Sequence, residues 1–573
     1  MDKMIPVDLG AEAFIELLNA NGVEYIFLSP GSDTVSIQEA LSKFKALGKR
    51  APKVVLGLHE MVSMAAAHGY FMVSRQPQVV IVHVDVGTQQ VRGALHNAQR
   101  GRIGVVLCAG RSPMSLDEDK PYGRRSRVSW ITEQSDQAGI VRGYVKWDYE
   151  LRSNENIHHV VQRAFQVASS EPCGPVYLIL PREFLMEKIS SVAIPDVARY
   201  AAPSTPQADL TLLGEAAEML IQAENPLILT DYLGRHPESV ASLTELAEIL
   251  GARVVSTVFT MSFPTTHPLW GGFMSEPYLK DADVILIIDH DAPYTPSRVK
   301  LAPGAKIIQI DIDPVKANMP THFFPADILV EADSSKAIPA LSEMVRKRVT
   351  PEQQLGFQTR TRRLQSEHEK LLDEWHELAT SQSERKPISH QWLCRCVAEE
   401  IDGSTIVLNE VAGSMYAVLQ QIHRTEPGTY FTASGSSLGW GLGAALGAKL
   451  AAPDRTVVLL VGDGAFIYGC PTAALWASTF YNAPHLTIVF NNGEYRALRG
   501  LWPLLYGGES YSEKTGEWVG VDFTPCPDYA LIAQACGAYG QRVEEPSDLK
   551  PAIRKALDKV HGGQTAVLDV IIE

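Results

Sequence analysis

Apolar residues along this chain recur with two periods. Short runs rich in β-branched and aromatic residues, at 25–28, 54–58, 79–82, 103–109 and 176–180, alternate with stretches of helical spacing such as 10–21 and 61–73. Runs of that length, bounded by Gly, Pro, Ser and Asp, read as buried strands. Their alternation with helices predicts a doubly wound parallel sheet. The pattern lapses in the Pro-, Ala- and Ser-rich segment 195–206. It then restarts with strands expected at 227–230, 253–256, 284–288 and 306–310 and a helix over 240–250. A charged, helix-prone stretch (351–379) and a polar one (381–387) lead to a third unit that opens near His390 and closes with a strand at 566–572. The expectation is an α/β protein of three doubly wound parallel-sheet domains, at 1–195, 206–345 and 390–573, with a linker over 346–389. The first and third share an architecture without a clear sequence repeat.

The stretch 457–499 carries the first chemistry. An apolar run ends at Gly462, Asp463 and Gly464; a helix-like segment and a second apolar run (486–490) follow, ending at Asn491, Asn492 and Gly493. In a parallel sheet both ends fall on the carboxyl edge, where open α/β sheets bind ligands. Asp463, the Asn492 side chain and a backbone carbonyl just beyond it, at Glu494, form an oxygen set of the kind Mg²⁺ takes together with phosphate oxygens. Backbone N–H groups at Gly464 and Ala465 suit diphosphate oxygens, and Gly413 with Ser414 could add to them. Each turn is also compatible with ordinary turn chemistry. The spacer of 26 residues (465–490) leaves room for one crossover helix and one strand.

Composition narrows the class. The chain has 573 residues, 45% of them hydrophobic, enough for several cores. A net charge of −15 makes nucleic acid and anionic membranes poor partners. The seven cysteines are scattered through apolar stretches, as reduced buried thiols are. The N-terminus lacks a signal-peptide pattern and no apolar run reaches membrane-spanning length, so a cytoplasmic protein is expected.

Glu60 is the sharpest single candidate. It sits where an apolar strand becomes an apolar helix, beside Leu58, Met61, Met64 and Ala65. A carboxyl enclosed there would have a raised pKa and could donate a hydrogen bond; the alternative is an acid favouring the helix start. Ser32 could cap the helix after it. His83 and His267 are each compatible with a satisfied turn histidine. The glycine series 435, 439, 441, 443 and 447 suits close helix packing better than a phosphate loop.

With these residues in view, the chain resembles thiamine diphosphate enzymes of the acetohydroxyacid synthase, benzoylformate decarboxylase and pyruvate oxidase group. The matching runs are SPGSD (29–33), LHEMVSMAAAHGY (58–70), VGTQQVRGALHNA (86–98), FPTTHP (263–268), DIDP (311–314), LNEVAGS (408–414) and GDG with NNGEY (462–495). The resemblance covers essentially the whole chain, as pyrimidine-binding, central and diphosphate-binding domains. It implies that Glu60 bonds the pyrimidine ring. Gly462, Asp463, Gly464, Ala465, Asn492, Glu494 and Tyr495 would surround the Mg²⁺-diphosphate, with Gly413 and Ser414 nearby. Leu438 would support the cofactor's bent shape and the Ser436 carbonyl its amino group. Ser32 would meet the substrate carboxylate, His83 and His267 would relay protons, and Tyr495 and Leu498 would line the pocket.

The expected activity is decarboxylation of a 2-oxo acid, with release of an aldehyde or carboligation onto a second carbonyl compound, an aldehyde among them, to give a 2-hydroxy ketone or acetohydroxy acid. The resemblance also implies a homodimer or homotetramer with active sites between subunits. Alternatives are an FAD-containing pyruvate oxidase-like enzyme, a 2-hydroxyacyl-CoA lyase-like enzyme, or a Mg²⁺-dependent binding protein. Thr230-Asp231-Tyr232-Leu233-Gly234 stands where flavin-binding relatives carry a Gly-rich turn, which argues against FAD. Arg111 replaces the Gln usual in the synthases. Arg124, Arg125 and Arg127 read as a solvated loop, with steering of an anionic substrate as the alternative, and residues 499–520 as a cover for the site.

Overall fold

The computed structural model describes residues 3–117, 119–256 and 259–573. The first domain contains β1 (Lys3–Pro6), β2 (Tyr25–Leu28), β3 (Lys53–Leu56), β4 (Gln78–Val82), β5 (Val105–Ala109), β6 (Asp148–Glu150), β7 (Val176–Ile179) and β8 (Ser191–Ile194). Six of these form a parallel sheet in the order β3-β2-β4-β5-β7-β6. Strands β1 and β8 pair antiparallel as a separate ribbon. Every residue of β4, β5 and β7 is buried, which is why they read as unbroken apolar runs. The expected strand 54–58 stops at Leu56, and Gly57 to His59 make the turn into the next helix.

The central domain holds β9 (Pro226–Thr230), β10 (Arg253–Ser256), β11 (Val284–Ile288), β12 (Lys306–Asp311) and β13 (Ile328–Glu331), ordered β10-β9-β11-β12-β13. The helix Pro351–Ser381 follows, burying Phe357, Leu364, His368 and Ala379 along one face. The third domain holds β14 (Ile406–Glu410), β15 (Tyr430–Thr432), β16 (Val457–Gly462), β17 (Leu486–Asn491), β18 (Tyr539–Val543) and β19 (Ala566–Ile571), ordered β15-β14-β16-β17-β19-β18. Ranked within its own domain, each six-stranded sheet reads 2-1-3-4-6-5. Each therefore reverses its winding beside the first strand, between β2 and β4 and between β14 and β16, where such sheets open a ligand crevice.

The helices Glu60–Ser74 and Gly441–Ala451 lock the first and third domains together. A Cβ at Gly443 would fall 2.6 Å from the Ala65 Cβ, one at Gly447 1.8 Å from the Ala66 carbonyl oxygen, and one at Gly69 2.1 Å from the Ala444 carbonyl oxygen. The glycines are thus packing residues that let two backbones touch. Nearby, the Asn97 side chain donates to the Ser437 carbonyl (2.8 Å) and accepts from the Ser437 N–H (3.1 Å).

Charges fill the seam between first and central domains. Arg102, just before β5, donates to Asp291 (3.2 Å) and Asp311 (3.4 Å) at the carboxyl edge of the central sheet. Lys316 pairs with the same two carboxylates at 2.9 and 2.6 Å, and Arg235 pairs with Asp289 at 2.6 Å. Burial alone would raise the Asp291 pKa, but Arg102 and Lys316 outweigh it and hold it at about 2.

Candidate active site

Two clusters lie at the two switch points. In the third domain, Asp463 is buried at the start of the turn after β16. One of its carboxylate oxygens accepts from the Gly464 N–H (2.7 Å). The other accepts from the N–H groups of Asn492 (2.9 Å) and Gly493 (2.7 Å), in the turn after β17. The neighbouring strands β16 and β17, with Gly462 opposite Phe490, bring these turns together. Burial raises the Asp463 pKa, and the three N–H groups offset it only in part; a cation there would relieve the remainder. Asn492 Oδ1 accepts from the Glu494 N–H (3.1 Å), while the Asn491 amide turns away to Asp569 (2.8 Å).

The rest of the set divides. The Gly464 N–H, expected to face a phosphate, is already committed to Asp463. Gly464 itself must lack a side chain, since a Cβ would lie 2.5 Å from the Tyr495 ring. The Glu494 carboxylate pairs with Arg496 (2.6 Å) and Arg499 (3.0 Å), leaving its main-chain carbonyl as the candidate ligand. Ser414 is buried and bonded to His390, with Gly413 exposed beside it. Ser436 is exposed, Leu438 half-buried against the domain core, and Leu498 exposed. Sequence reading missed Glu410. It ends β14 and accepts from the N–H groups of Gly439 (2.7 Å), Trp440 (2.9 Å) and Gly441 (2.7 Å), fixing the loop that carries Leu438. Burial, opposed by those three donors, pushes its pKa up to about 7. An acid closing an otherwise apolar strand was the available signal.

In the first domain, Asp33 is the organiser that sequence reading passed over. Its buried carboxylate bonds His83 Nδ1 through one oxygen; the other accepts from Val84 N–H (3.2 Å) and Gly110 N–H (2.9 Å). The Asp33 bond raises the His83 pKa against partial burial. Because Nδ1 is held, Nε2 is the nitrogen left to exchange protons. Gly31 permits this arrangement, since a Cβ there would lie 2.0 Å from His83 Nδ1. Val84 has φ +32°, a strained value for a β-branched residue, at the turn that presents His83. Ser32 is exposed and caps nothing. The helix Val35–Ala46 starts after Thr34, whose hydroxyl bonds Gly31 and Gln38 instead.

Glu60 opens the helix Glu60–Ser74, capped by His59. It is half-buried rather than enclosed, with Oε1 3.2 Å from where a Gly87 Cβ would stand; Leu58 beside it is 55% exposed. Among the described residues no hydrogen bond or ion pair joins Glu60 to the Asp463 cluster. His267 does not join the His83 cluster either. Its ring bonds Glu248 (3.2 Å) and the Leu269 N–H (3.2 Å) inside the central domain. Arg124, expected in solvent, has its side chain buried against Glu133 and the Pro113 carbonyl (2.5 Å).

Comparison with known proteins gives three matches along the chain. Residues 9–140 match the thiamine pyrophosphate enzyme N-terminal TPP binding domain, 213–341 the central domain and 411–570 the C-terminal TPP binding domain. Benzoylformate decarboxylase of Pseudomonas aeruginosa is 27% identical, covering 95% of this chain and 96% of that one. Acetolactate synthase isozyme 3 large subunit of Escherichia coli is 24% identical, covering 98% and 95%. Among solved structures, the thiamine diphosphate-dependent 4-hydroxybenzoylformate decarboxylase of Rhodococcus jostii RHA1 superposes with a TM-score of 0.79 at 24% identity, covering 99% of both chains. Benzoylformate decarboxylase from Polynucleobacter necessarius does so with a TM-score of 0.79 at 22% identity and the same coverage.

Proposed function

This chain belongs to the thiamine pyrophosphate (thiamine diphosphate) enzymes, and from that premise we propose that it decarboxylates a 2-oxo acid in a Mg²⁺-dependent reaction. The product leaves as an aldehyde or is joined to a second carbonyl compound. The observation that carries this reading is the Asp463 cradle, a buried carboxylate of raised pKa at one switch point, tied to the asparagine turn beside it. Asp463, the Asn492 side chain and the Glu494 carbonyl offer a hard, all-oxygen set that fits Mg²⁺. The Ala465 N–H and the Gly413-Ser414 turn are the donors we assign to the diphosphate.

Thiamine diphosphate, when bound, supplies the electron sink that lets a 2-oxo acid lose CO₂. The protein's share is binding, orientation and proton handling. Glu60 offers its carboxyl to a ring nitrogen, Glu410 holds the Leu438 loop in place, and His83 Nε2 exchanges a proton at the substrate's carbonyl oxygen while Asp33 fixes the ring. Ser32 meets the substrate carboxylate, and Tyr495 with Leu498 walls the far side.

A second copy of the chain completes the site in this reading. Glu60 and Asp463 belong to separate clusters, and exposed apolar side chains flank both: Leu58 and Val86 near Glu60, Ile467 and Tyr468 after Asp463. Burying such patches is what subunit contacts do. The carboxyl edge of the central sheet is filled by Arg102, Arg235 and Lys316 with their aspartates, which counts against a flavin there. Among the described residues no helix is long and apolar enough to cross a membrane.

The test is CO₂ release from a panel of 2-oxo acids, with thiamine diphosphate or Mg²⁺ omitted in turn. Glu60→Gln should lower turnover at least ~100-fold, the scale of removing a proton-transfer group. Turnover indifferent to both cofactors, or unchanged in Glu60→Gln, refutes the proposal.

A further inference from the structure

His390 is a half-buried histidine for which the proton handling described above has no use. It does not cap the helix it opens, His390–Glu400. Ser389 does, by accepting from the Trp392 N–H (3.0 Å). Among the described residues the His390 ring forms no ion pair, and its one hydrogen bond joins Nδ1 to the buried Ser414 Oγ. Main-chain bonds hold this pair at the crevice of the third sheet. The Ile388 N–H donates to the Ile571 carbonyl (3.3 Å), and the Ile388 carbonyl accepts from the Glu573 N–H (3.1 Å). The Ile572 N–H donates in turn to the Asn491 carbonyl (2.9 Å). The start of the helix is thereby stitched, through the end of β19, to the asparagine turn. Gly413 lies against the segment after that turn, since a Cβ there would stand 3.8 Å from the Arg496 Cβ.

A serine hydroxyl has one proton to give. If Nδ1 accepts it, Ser414 has nothing left to donate to a diphosphate, whose oxygens are acceptors. If Nδ1 carries a proton and donates to Oγ, the hydroxyl proton is released toward the ligand, and the bond behind it polarises the O–H. Neutral imidazole exists in both forms, and the hydrogen bonds it makes decide between them. The ring is neutral here. Burial lowers its pKa, Glu573 opposes that, and Arg496 and Arg385 reinforce it. We propose that His390 is a positioning residue for the cofactor, its Nδ1–H donating to Ser414 Oγ so that the Ser414 hydroxyl donates to the diphosphate. It acts through Ser414 and touches no substrate. This rests on the assignment of Ser414 to the diphosphate and adds the residue that makes that hydroxyl a donor.

The experiment measures the Kd of thiamine diphosphate for the full-length apoprotein at saturating Mg²⁺, by isothermal titration calorimetry. His390→Phe should weaken binding about tenfold, the scale of one hydrogen bond to a charged group, and Ser414→Ala at least as much. Because His390 acts through the Ser414 hydroxyl, His390→Phe should cost nothing further in the Ser414→Ala background. His390→Asn, whose amide can donate from about the place of Nδ1, should keep most of the parent's affinity. A purely structural role for His390 would weaken binding by the same factor in both backgrounds, which overturns the inference. His390→Phe binding as tightly as the parent overturns it too. If His390→Phe does not fold, His390→Leu is read the same way. Ser414→Ala binding as tightly as the parent refutes the Ser414 assignment and this inference with it, and leaves the decarboxylase reading standing. A parent protein that binds no thiamine diphosphate refutes both.

Discussion

Gly447 offers a substitution on which two physical effects disagree in sign. It sits in the helix Gly441–Ala451, where replacing glycine with alanine gains roughly 0.5–1 kcal/mol of backbone entropy. Against that, the new methyl would stand 1.8 Å from the Ala66 carbonyl oxygen and 2.8 Å from the Tyr70 nitrogen. Ordinary contact begins at about 3.4 Å, so the helices must part by well over an ångström, and the obstacle is main chain that has no rotamer to move. Overpacking of a tight interior costs about 1–3 kcal/mol or more. Clash should win, leaving Gly447→Ala less stable than the parent by about 2 kcal/mol, with the sign set by geometry rather than propensity. Gly356 is the matched control. It lies in the helix Pro351–Ser381 with nothing within 4 Å of its would-be Cβ, so Gly356→Ala should stabilise by up to about 1 kcal/mol. Differential scanning calorimetry of the three proteins at one concentration gives both signs. A Gly447→Ala transition at or above the parent's would refute the claim that the two domains meet backbone to backbone. The same variant should also lose activity, because the parted helices carry Glu60 on one and adjoin the Leu438 loop on the other.

Mixing two inactive variants tests the shared site. If Glu60 of one copy works with Asp463 of another, random pairing of Glu60→Gln and Asp463→Ala chains makes half the dimers mixed, each with one intact site. Activity should then recover to about a quarter of the parent's; no recovery after subunit exchange argues for a site within one chain. The charged seam gives a stability prediction. Arg102→Met leaves Asp291 and Asp311 short of a counter-charge and should cost about 3–5 kcal/mol, the scale of breaking a buried pair. Both aspartates have folded pKa values below their unfolded ones. Their contribution is therefore fully present above the unfolded value, about 3.9, and is lost as pH falls through the folded one, about 2 for Asp291. The variant should thus unfold at higher pH in an acid titration followed by circular dichroism, and an unshifted acid midpoint would count against it.

What could be read from the chain was what repeats locally. Strands 253–256 and 284–288 fall where their apolar runs place them, and the asparagine turn lies beside Asp463 because parallel neighbours must align their ends. What could not be read were pairings across long separations. Asp33 finds His83 across 50 positions, Arg182 reaches Ser32 across 150, and Arg102 meets Asp311 across 209. Nothing in the residues around Arg124 announces that it folds inward onto Glu133, since a run of arginines looks solvated until a partner is supplied. Strand β13, whose burial alternates, carried a weaker signal than the uniformly buried strands. Within one chain Glu60 is half-buried rather than enclosed. Its neighbours Met64 and Ala65 are buried, whereas Leu58 is exposed in the single chain, the face assigned above to a second copy.

The bonds from Asp463 to the Asn492 and Gly493 N–H groups have a mechanical consequence. They rivet the turns after β16 and β17 into one piece, so neither can be displaced without tearing the other. That pair of turns therefore needs no ordering of its own to receive a ligand. The entropy of shaping those two turns is spent during folding, and so is the drying of the carboxylate, which leaves the stripping of water from the incoming ion as the main cost of binding there.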